Sequence, residues 1–363
     1  MKKSFLILAA AAIVVGCAQN EILNEQEQPE VLIGFGDSYI GKKTKAGEVT
    51  SLATLQTNNG TMRVWGWKTV STGTSQVFNN QLVSYNSESS RTNTKWEYTP
   101  LKYWDMEATN YKFYAVSPNT DKFTIDGTTR IISGTGIEQV QILADNNGAS
   151  KKTSLNTTAV DYLVAAAVDK APKGNDSDDD VTFSFSHILS KLIVKVATKT
   201  DFDHEGSAYP QIKMTDLSIK LSGMCPNYTQ AATGVVNPSA DTWSGTAMSE
   251  TAYVCYENDG STVTDDLLLS STAQEVASYL VAPTATSGSA THTYKVTVEY
   301  DIYYSAAESE HFKATDKTVS TLNRFAQNTS NTLTITIDPQ AIYFDVATVS
   351  NRTDGLAGEV TVQ

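Results

Sequence analysis

The stretch Thr293–Tyr304 alternates without a break. Tyr294, Val296, Val298, Tyr300 and Ile302 fall on one side; Lys295, Thr297, Glu299 and Asp301 fall on the other. A period of two residues is that of a pleated strand, and an apolar face opposite a polar one is that of a strand half buried in an antiparallel sheet. A helix would scatter the same residues around its axis. Alternating or β-branched runs recur at Met62–Trp67, Tyr111–Val116, Asp161–Ala166, Val181–Phe185, Lys191–Thr198, Leu217–Leu221, Ser278–Ala282, Thr332–Asp338 and Ala341–Val349. Phe123–Ile132 reads as a hairpin turning at Asp126-Gly127. Turn-forming residues interrupt the chain every ~8–12 positions. The one helical reading is a single turn at Leu322–Gln327. The expected fold is all-β, built from sandwiches.

The N-terminus bears on where that fold forms. Lys2 and Lys3 precede an apolar run, Phe5–Val15, that ends at Gly16-Cys17. The run is too short to span a ~30 Å hydrocarbon core as a helix, and its charge pattern is that of a secretory signal. Small residues leading into a cysteine resemble a bacterial lipobox, with Val14 where leucine is usual. The expectation is cleavage before Cys17 and acylation there, which anchors at ~0.8 kcal/mol per buried CH₂. Residues 1–16 are then the signal peptide and 17–30 a tether. At ~150 residues per domain, the remainder suits two sandwiches, 31–180 and 181–363, divided after the polar stretch Lys170–Asp180. That stretch reads equally well as a loop inside the first domain.

The chain carries 27 basic and 40 acidic side chains, for a net charge of −13. Without Lys2 and Lys3 the balance is 25 − 40 = −15. Phosphate backbones require a basic surface, so nucleic acid is excluded as a partner. Beyond Cys17 there are Cys225 and Cys255, which either pair across a loop, stabilising by about 3 kcal/mol, or stay as two buried thiols.

No catalytic constellation emerges. His187, His204, His292 and His311 are scattered, and HExxH, GxSxG, P-loop and GxGxxG patterns are absent. His187, inside an apolar run, reads as a packed, hydrogen-bonded histidine. The acidic run Asp176–Asp180 fails the calcium-loop pattern, with Val181 where glycine and His187 where glutamate is required. Trp65 and Trp67 share a strand face and read either as core aromatics or as a sugar-stacking pair. The expectation is a non-enzymatic chain without cofactor or metal.

Several segments together resemble the fimbrillin family of Bacteroidetes, the building blocks of type V pili. After the lipobox come Ile33-Gly34-Phe35-Gly36 and Thr44-Lys45-Ala46, then Tyr103-Trp104 and Tyr111-Lys112-Phe113-Tyr114-Ala115-Val116-Ser117-Pro118. The most specific piece is Phe183-Ser184-Phe185-Ser186-His187-Ile188-Leu189-Ser190-Lys191-Leu192-Ile193-Val194-Lys195-Val196. Asn328–Ile337 and Ile342-Tyr343-Phe344 resemble the final strands. The tryptophan usual in the last segment is missing from Val349–Gly355.

The resemblance implies two transthyretin-like β-sandwich domains, export as an acylated outer-membrane precursor, and polymerisation with other pilus subunits. A protease cuts after the first strand, and a neighbour's strand fills the groove it leaves. On this chain the displaced strand is Val31, Leu32, Ile33 and Phe35, and the cut falls between Lys45 and Ala46. The donor comes from the C-terminal tail, either Ile342, Phe344, Val346 and Thr348 or Val360 and Val362. The other reading is that these tail strands complete their own sandwich, in a tip, cap or anchor subunit. A host protein or glycan is an expected further partner. The alternative function is a surface glycan-binding lipoprotein, with Trp65, Trp67, Trp96, Trp104 and Trp243 as stacking candidates.

Overall fold

A computed structural model describes residues 31–40, 51–56, 60–90, 95–145, 159–174, 180–199, 213–222, 231–236, 253–257, 271–283, 294–305, 308–319, 325–338, 341–345 and 349–351. They form strands almost throughout, arranged in four sheets.

The first sheet runs in the order β1 (Tyr39–Ile40), β11 (Ser184–His187), β9 (Leu163–Ala165), β5 (Asn110–Ser117), β2 (Thr61–Val70), β3 (Gly73–Tyr85), β4 (Trp96–Glu97). A short β10 (Val168–Lys170) also pairs with β5. Its central strands are buried on both faces. Met62, Val64, Phe113, Ala115, Leu163 and Ala165 face one core. Trp65, Trp67, Tyr114, Val116 and Val164 face a separate apolar layer. The period of two thus sorts each strand between two apolar layers, which explains why these runs look apolar rather than alternating.

The second core is a sandwich. One layer is β20 (Ala341–Asp345), β19 (Thr329–Asp338), β12 (Ser190–Thr198), β16 (Gln274–Val281) and β8 (Val140–Asp145), with β21 (Val349–Asn351) also on β19. The facing layer is β15 (Tyr253–Glu257), β13 (Lys213–Ser222), β17 (Tyr294–Ser305) and β18 (Glu308–Val319). Leu192, Val194, Val196, Leu333, Ile335 and Ile337 meet Leu217, Ile219, Leu221, Val296, Val298 and Tyr300 between them. The alternation of Thr293–Tyr304 therefore has its predicted sense, with Val296, Val298 and Tyr300 buried and the residues between them half exposed.

A three-stranded sheet, β14 (Ala231–Val236), β7 (Ile132–Glu138) and β6 (Phe123–Ile125), covers Trp65 and Trp67 through Phe123, Ile132, Ile137 and Val236. Phe123–Ile125 pairs with Ile132–Gly134 as the hairpin reading expects.

Three elements cross the line expected at 180/181. β11 joins the first sheet, and Val181, Phe183 and Phe185 lie in its core, so Lys170–Asp180 connects two strands of one sheet. β8 pairs with β16, and β14 pairs with β7. The reason is apolar: Val181, Phe183 and Phe185 alternate inward with period two, and their burial outweighs the polarity of the segment before them. A single helical turn, Leu52–Thr54, is capped by Ser51, whose side chain accepts from the Thr54 N–H at 3.2 Å.

Candidate functional site

Val31–Gly36 lies in a cleft of the first core. On one side its main chain meets the extended stretch Lys102–Trp104. Ile33 N–H donates to the Lys102 carbonyl at 2.9 Å, and Trp104 N–H donates to the Val31 carbonyl at 2.9 Å. On the other side it runs parallel to Val181, whose N–H donates to the Gly34 carbonyl at 2.9 Å and whose carbonyl accepts from Gly36 N–H at 3.1 Å. The buried Tyr98 hydroxyl donates to the Ile33 carbonyl at 2.7 Å.

The side chains supply most of the hold. Val31, Ile33 and Phe35 point inward and are buried, with Ile33 and Phe35 wholly so. Phe35 sits in a pocket of four rings. It meets Phe78, Tyr98 and Phe113 edge-on at centroid distances of 5.5, 5.4 and 6.2 Å, and stacks on Phe183 at 6.0 Å. Offset and edge-to-face pairs of this kind add about 0.5–1.5 kcal/mol each beyond area burial. Leu32 is half buried opposite Tyr103.

The outward positions on either side of Phe35 are glycines, and Asp180 and Thr182 crowd both. A Cβ on Gly34 would overlap the Asp180 carboxylate, and one on Gly36 would lie 3.1 Å from the Asp180 Cβ and 3.3 Å from the Thr182 hydroxyl. Asp180 and Thr182 thus lean over the backbone on either side of Phe35. Sequence reading found Val31, Leu32, Ile33 and Phe35 but missed Tyr98, Phe78, Phe183 and Asp180. Their roles depend on which strands become neighbours, and nothing local announces that.

The other candidate residues are dispersed. Cys17, Lys45, Ala46, Val346, Thr348, Val360, Val362 and Cys225 lie outside the described residues. Cys255 is buried in the second core. Ile342 and Phe344 belong to β20, which pairs antiparallel with Thr334–Asp338 of the same chain. That portion of the tail completes its own sheet.

The tryptophans form no sugar platform among the described residues. Trp65, Trp67, Trp96 and Trp104 are all buried, and Trp243 lies outside them. The Trp67 ring packs edge-on against Tyr114 at 5.7 Å, with the Arg130 guanidinium 5.6 Å from its centroid.

Buried polar groups tie strands together. His187 Nδ1 lies 2.8 Å from Asp161 Oδ1 with both side chains buried, as expected for a packed histidine. Tyr162 donates to Glu138 at 2.9 Å, and Lys122 pairs with the same carboxylate at 2.5 Å. Burial first, then the Glu138 bond, push the Tyr162 phenol well above its ordinary pKa. Although burial opposes it, the Lys122 and Tyr162 bonds hold the Glu138 carboxyl below its ordinary value. No set of side chains suited to holding a metal occurs among the described residues.

A family model described as fimbrillin-like matches residues 46–351. Fimbrium subunit Fim1C of Phocaeicola vulgatus is 24% identical, over 99% of this chain and 99% of its own length. The crystal structure of a fimbrial protein from Bacteroides vulgatus is similar at a TM-score of 0.52 and 18% identity, covering 89% of this chain and 99% of that one. A putative cell adhesion protein from Bacteroides uniformis covers 90% of this chain and 99% of its own at a TM-score of 0.44 and 14% identity.

Proposed function

The chain belongs to the fimbrillin-like family, and from that premise we propose that it is a structural, non-enzymatic subunit of a cell-surface fimbria, built to assemble with other pilus subunits. It leaves the cytoplasm as an outer-membrane lipoprotein precursor acylated at Cys17. Cleavage between Lys45 and Ala46 then frees the segment that contains Val31–Gly36. A β-segment of a neighbouring subunit takes its place, which is strand addition with main-chain bonds for affinity and alternate side chains for register.

One observation carries this reading: Val31–Gly36 fills a core cleft, yet its pairings to Tyr103, Trp96 and Val181 are isolated bridges, and β1, which would leave with it, pairs with β11 over two residues rather than in a long ladder. The three inward side chains of Val31–Gly36 and half-buried Leu32 are worth about 6–12 kcal/mol at ~1.5–3 kcal/mol each, before ordering costs. An empty cleft would be an aggregation hazard, so departure and replacement belong to one event.

The donor is assigned to the tail. Since Ile342 and Phe344 already sit in a paired strand, and Val349–Asn351, just past Val346 and Thr348, pairs with the same β19, the end with Val360 and Val362 is the better candidate. The two-domain organisation follows the two cores, the first extended past residue 180 to include Phe185. A host protein or glycan remains the expected target of the finished fibre. Trp65, Trp67, Trp96 and Trp104, four of the five stacking candidates of the glycan-binding alternative, are buried, which favours the fimbrial reading.

The test is intact mass and N-terminal sequencing of surface-extracted protein, with electrophoresis of unboiled samples. A mature start at Ala46 together with ladders of multimers is expected. A single species that still begins at acylated Cys17 overturns polymerisation through this cleft.

A further inference from the structure

The cleft has a shape that does more than admit any apolar strand. Phe35 occupies a pocket walled by Phe78, Tyr98, Phe113 and Phe183. On either side of it, Gly34 and Gly36 pass beneath Asp180 and Thr182, so that a Cβ at the first must displace the Asp180 carboxylate and one at the second crowds the Asp180 Cβ and the Thr182 hydroxyl. The main-chain bonds to Val181 hold the backbone at that distance. Phe35 is the one aromatic residue of the sequence with glycine on both sides. The pocket and the two glycines therefore specify one pattern: apolar, any, apolar, small, aromatic, small.

Resting on the strand-exchange reading above, we propose that Asp180 is the specificity-determining residue of this cleft, and that the partner it fits is a β-segment of a different subunit carrying that pattern. Asp180 acts as a register gauge. A bulky residue beside the aromatic anchor drives against its carboxylate, so a strand one step out of register, or one with the wrong flanks, is rejected. The chain's own tail does not match. Phe344 is flanked by Tyr343 and Asp345, and Val360-Thr361-Val362 is followed by Gln363 where the pattern requires a small residue. A second copy of this chain is thereby disfavoured as the donor, and growth requires a different neighbour.

The experiment uses the full chain with a unique protease site engineered into residues 42–45, nicked after folding so that the resident segment can exchange. A fluorescent peptide of residues 30–38 is followed by anisotropy. The native peptide is expected to enter. Gly34→Val in the peptide is expected to weaken binding at least tenfold, and Asp180→Ala in the protein to recover most of that loss. Phe35→Ala in the peptide should also cost at least tenfold. An unlabelled peptide of residues 341–349 should compete at least tenfold less well than the native one. If the Gly34→Val peptide binds within twofold of the native one, or its deficit is unchanged by Asp180→Ala, the gauge is overturned while strand exchange stands. A residue 341–349 peptide that competes within twofold overturns the exclusion of self-donation. If the native peptide never enters, the exchange reading falls and the gauge with it.

Discussion

Val31–Gly36 and Thr329–Asp338 are both deeply buried, but different forces hold them. The first has a handful of main-chain bonds and relies on three side chains, above all the Phe35 ring. The second is an interior strand. It pairs parallel with Ser190–Thr198 over residues 330–337 and antiparallel with two further strands. Its start is pinned by a buried polar cluster. Asn331 Nδ2 donates to Ser190 Oγ at 2.9 Å, Ser190 Oγ donates to the Thr329 carbonyl at 3.2 Å, and Thr329 Oγ1 donates to the Ala326 carbonyl at 2.7 Å. Side-chain burial is transferable, because any strand with the right residues replaces it. A two-sided ladder with buried polar registration is not, since removing it leaves unpaired groups on both neighbours. The difference separates an exchangeable part from a permanent one.

The largest expected effect lies in the cleft. Phe35→Ala empties the four-ring pocket and should cost about 3–5 kcal/mol in urea unfolding of the full chain. A loss below about 1 kcal/mol, within the range of surface substitutions, would break the comparison, because the side chain would no longer account for the hold.

Asn331→Ala should cost about 1–3 kcal/mol, the penalty for stranding buried polar partners. Hydrogen exchange should quicken along residues 330–337 while leaving 31–36 unchanged. Equal quickening in both regions would mean that the two share one cooperative unit.

Tyr162 lies in an apolar layer apart from both regions and adds a pH test. Its folded-state pKa is raised, so the native state keeps a proton that the unfolded chain gives up at about pH 10. Stability should therefore fall as pH rises past about 10. Tyr162→Phe should flatten that decline, as read by thermal melts across the alkaline range.

The smallest effect belongs to Lys68 and Asp105, paired at 2.5 Å with each side chain about a third exposed. The Lys68 bond, followed by the Glu107 backbone bond, lowers the Asp105 pKa. This contribution is present above about pH 4 and is lost as pH falls through the lowered folded value. Lys68→Met should cost only ~0.2–1 kcal/mol, less at high salt. A larger loss would make the cleft rim, where Asp105 follows Trp104, more electrostatic than the comparison holds.

Legibility in the sequence followed locality. Tyr111–Val116, Lys191–Thr198 and Thr293–Tyr304 were readable because their periodicity is carried within a few residues. Gly73–Tyr85 was not, because its face is largely exposed and its residues are polar, so no apolar alternation marks it. The placement of Val140–Asp145 beside Gln274–Val281 was equally hidden, since it depends on a partner far along the chain. In the cleft, Phe35 was legible and Asp180 was not. An aspartate ending an acidic run looks like solvated loop until Val181 is seen bonded to Gly34.

The residue pattern alone settled that this chain is made largely of strands, which side of Thr293–Tyr304 is apolar, and the resemblance to the fimbrillin family, because pleat period and local motifs are written along the backbone. Tertiary structure alone decided that Phe183 and Phe185 close the first core rather than open the second. It also decided that Trp65 and Trp67 face inward, and that Asp180 stands over Gly34. Those outcomes depend on contacts between residues distant in sequence, whose energies exist only once the sheets have met.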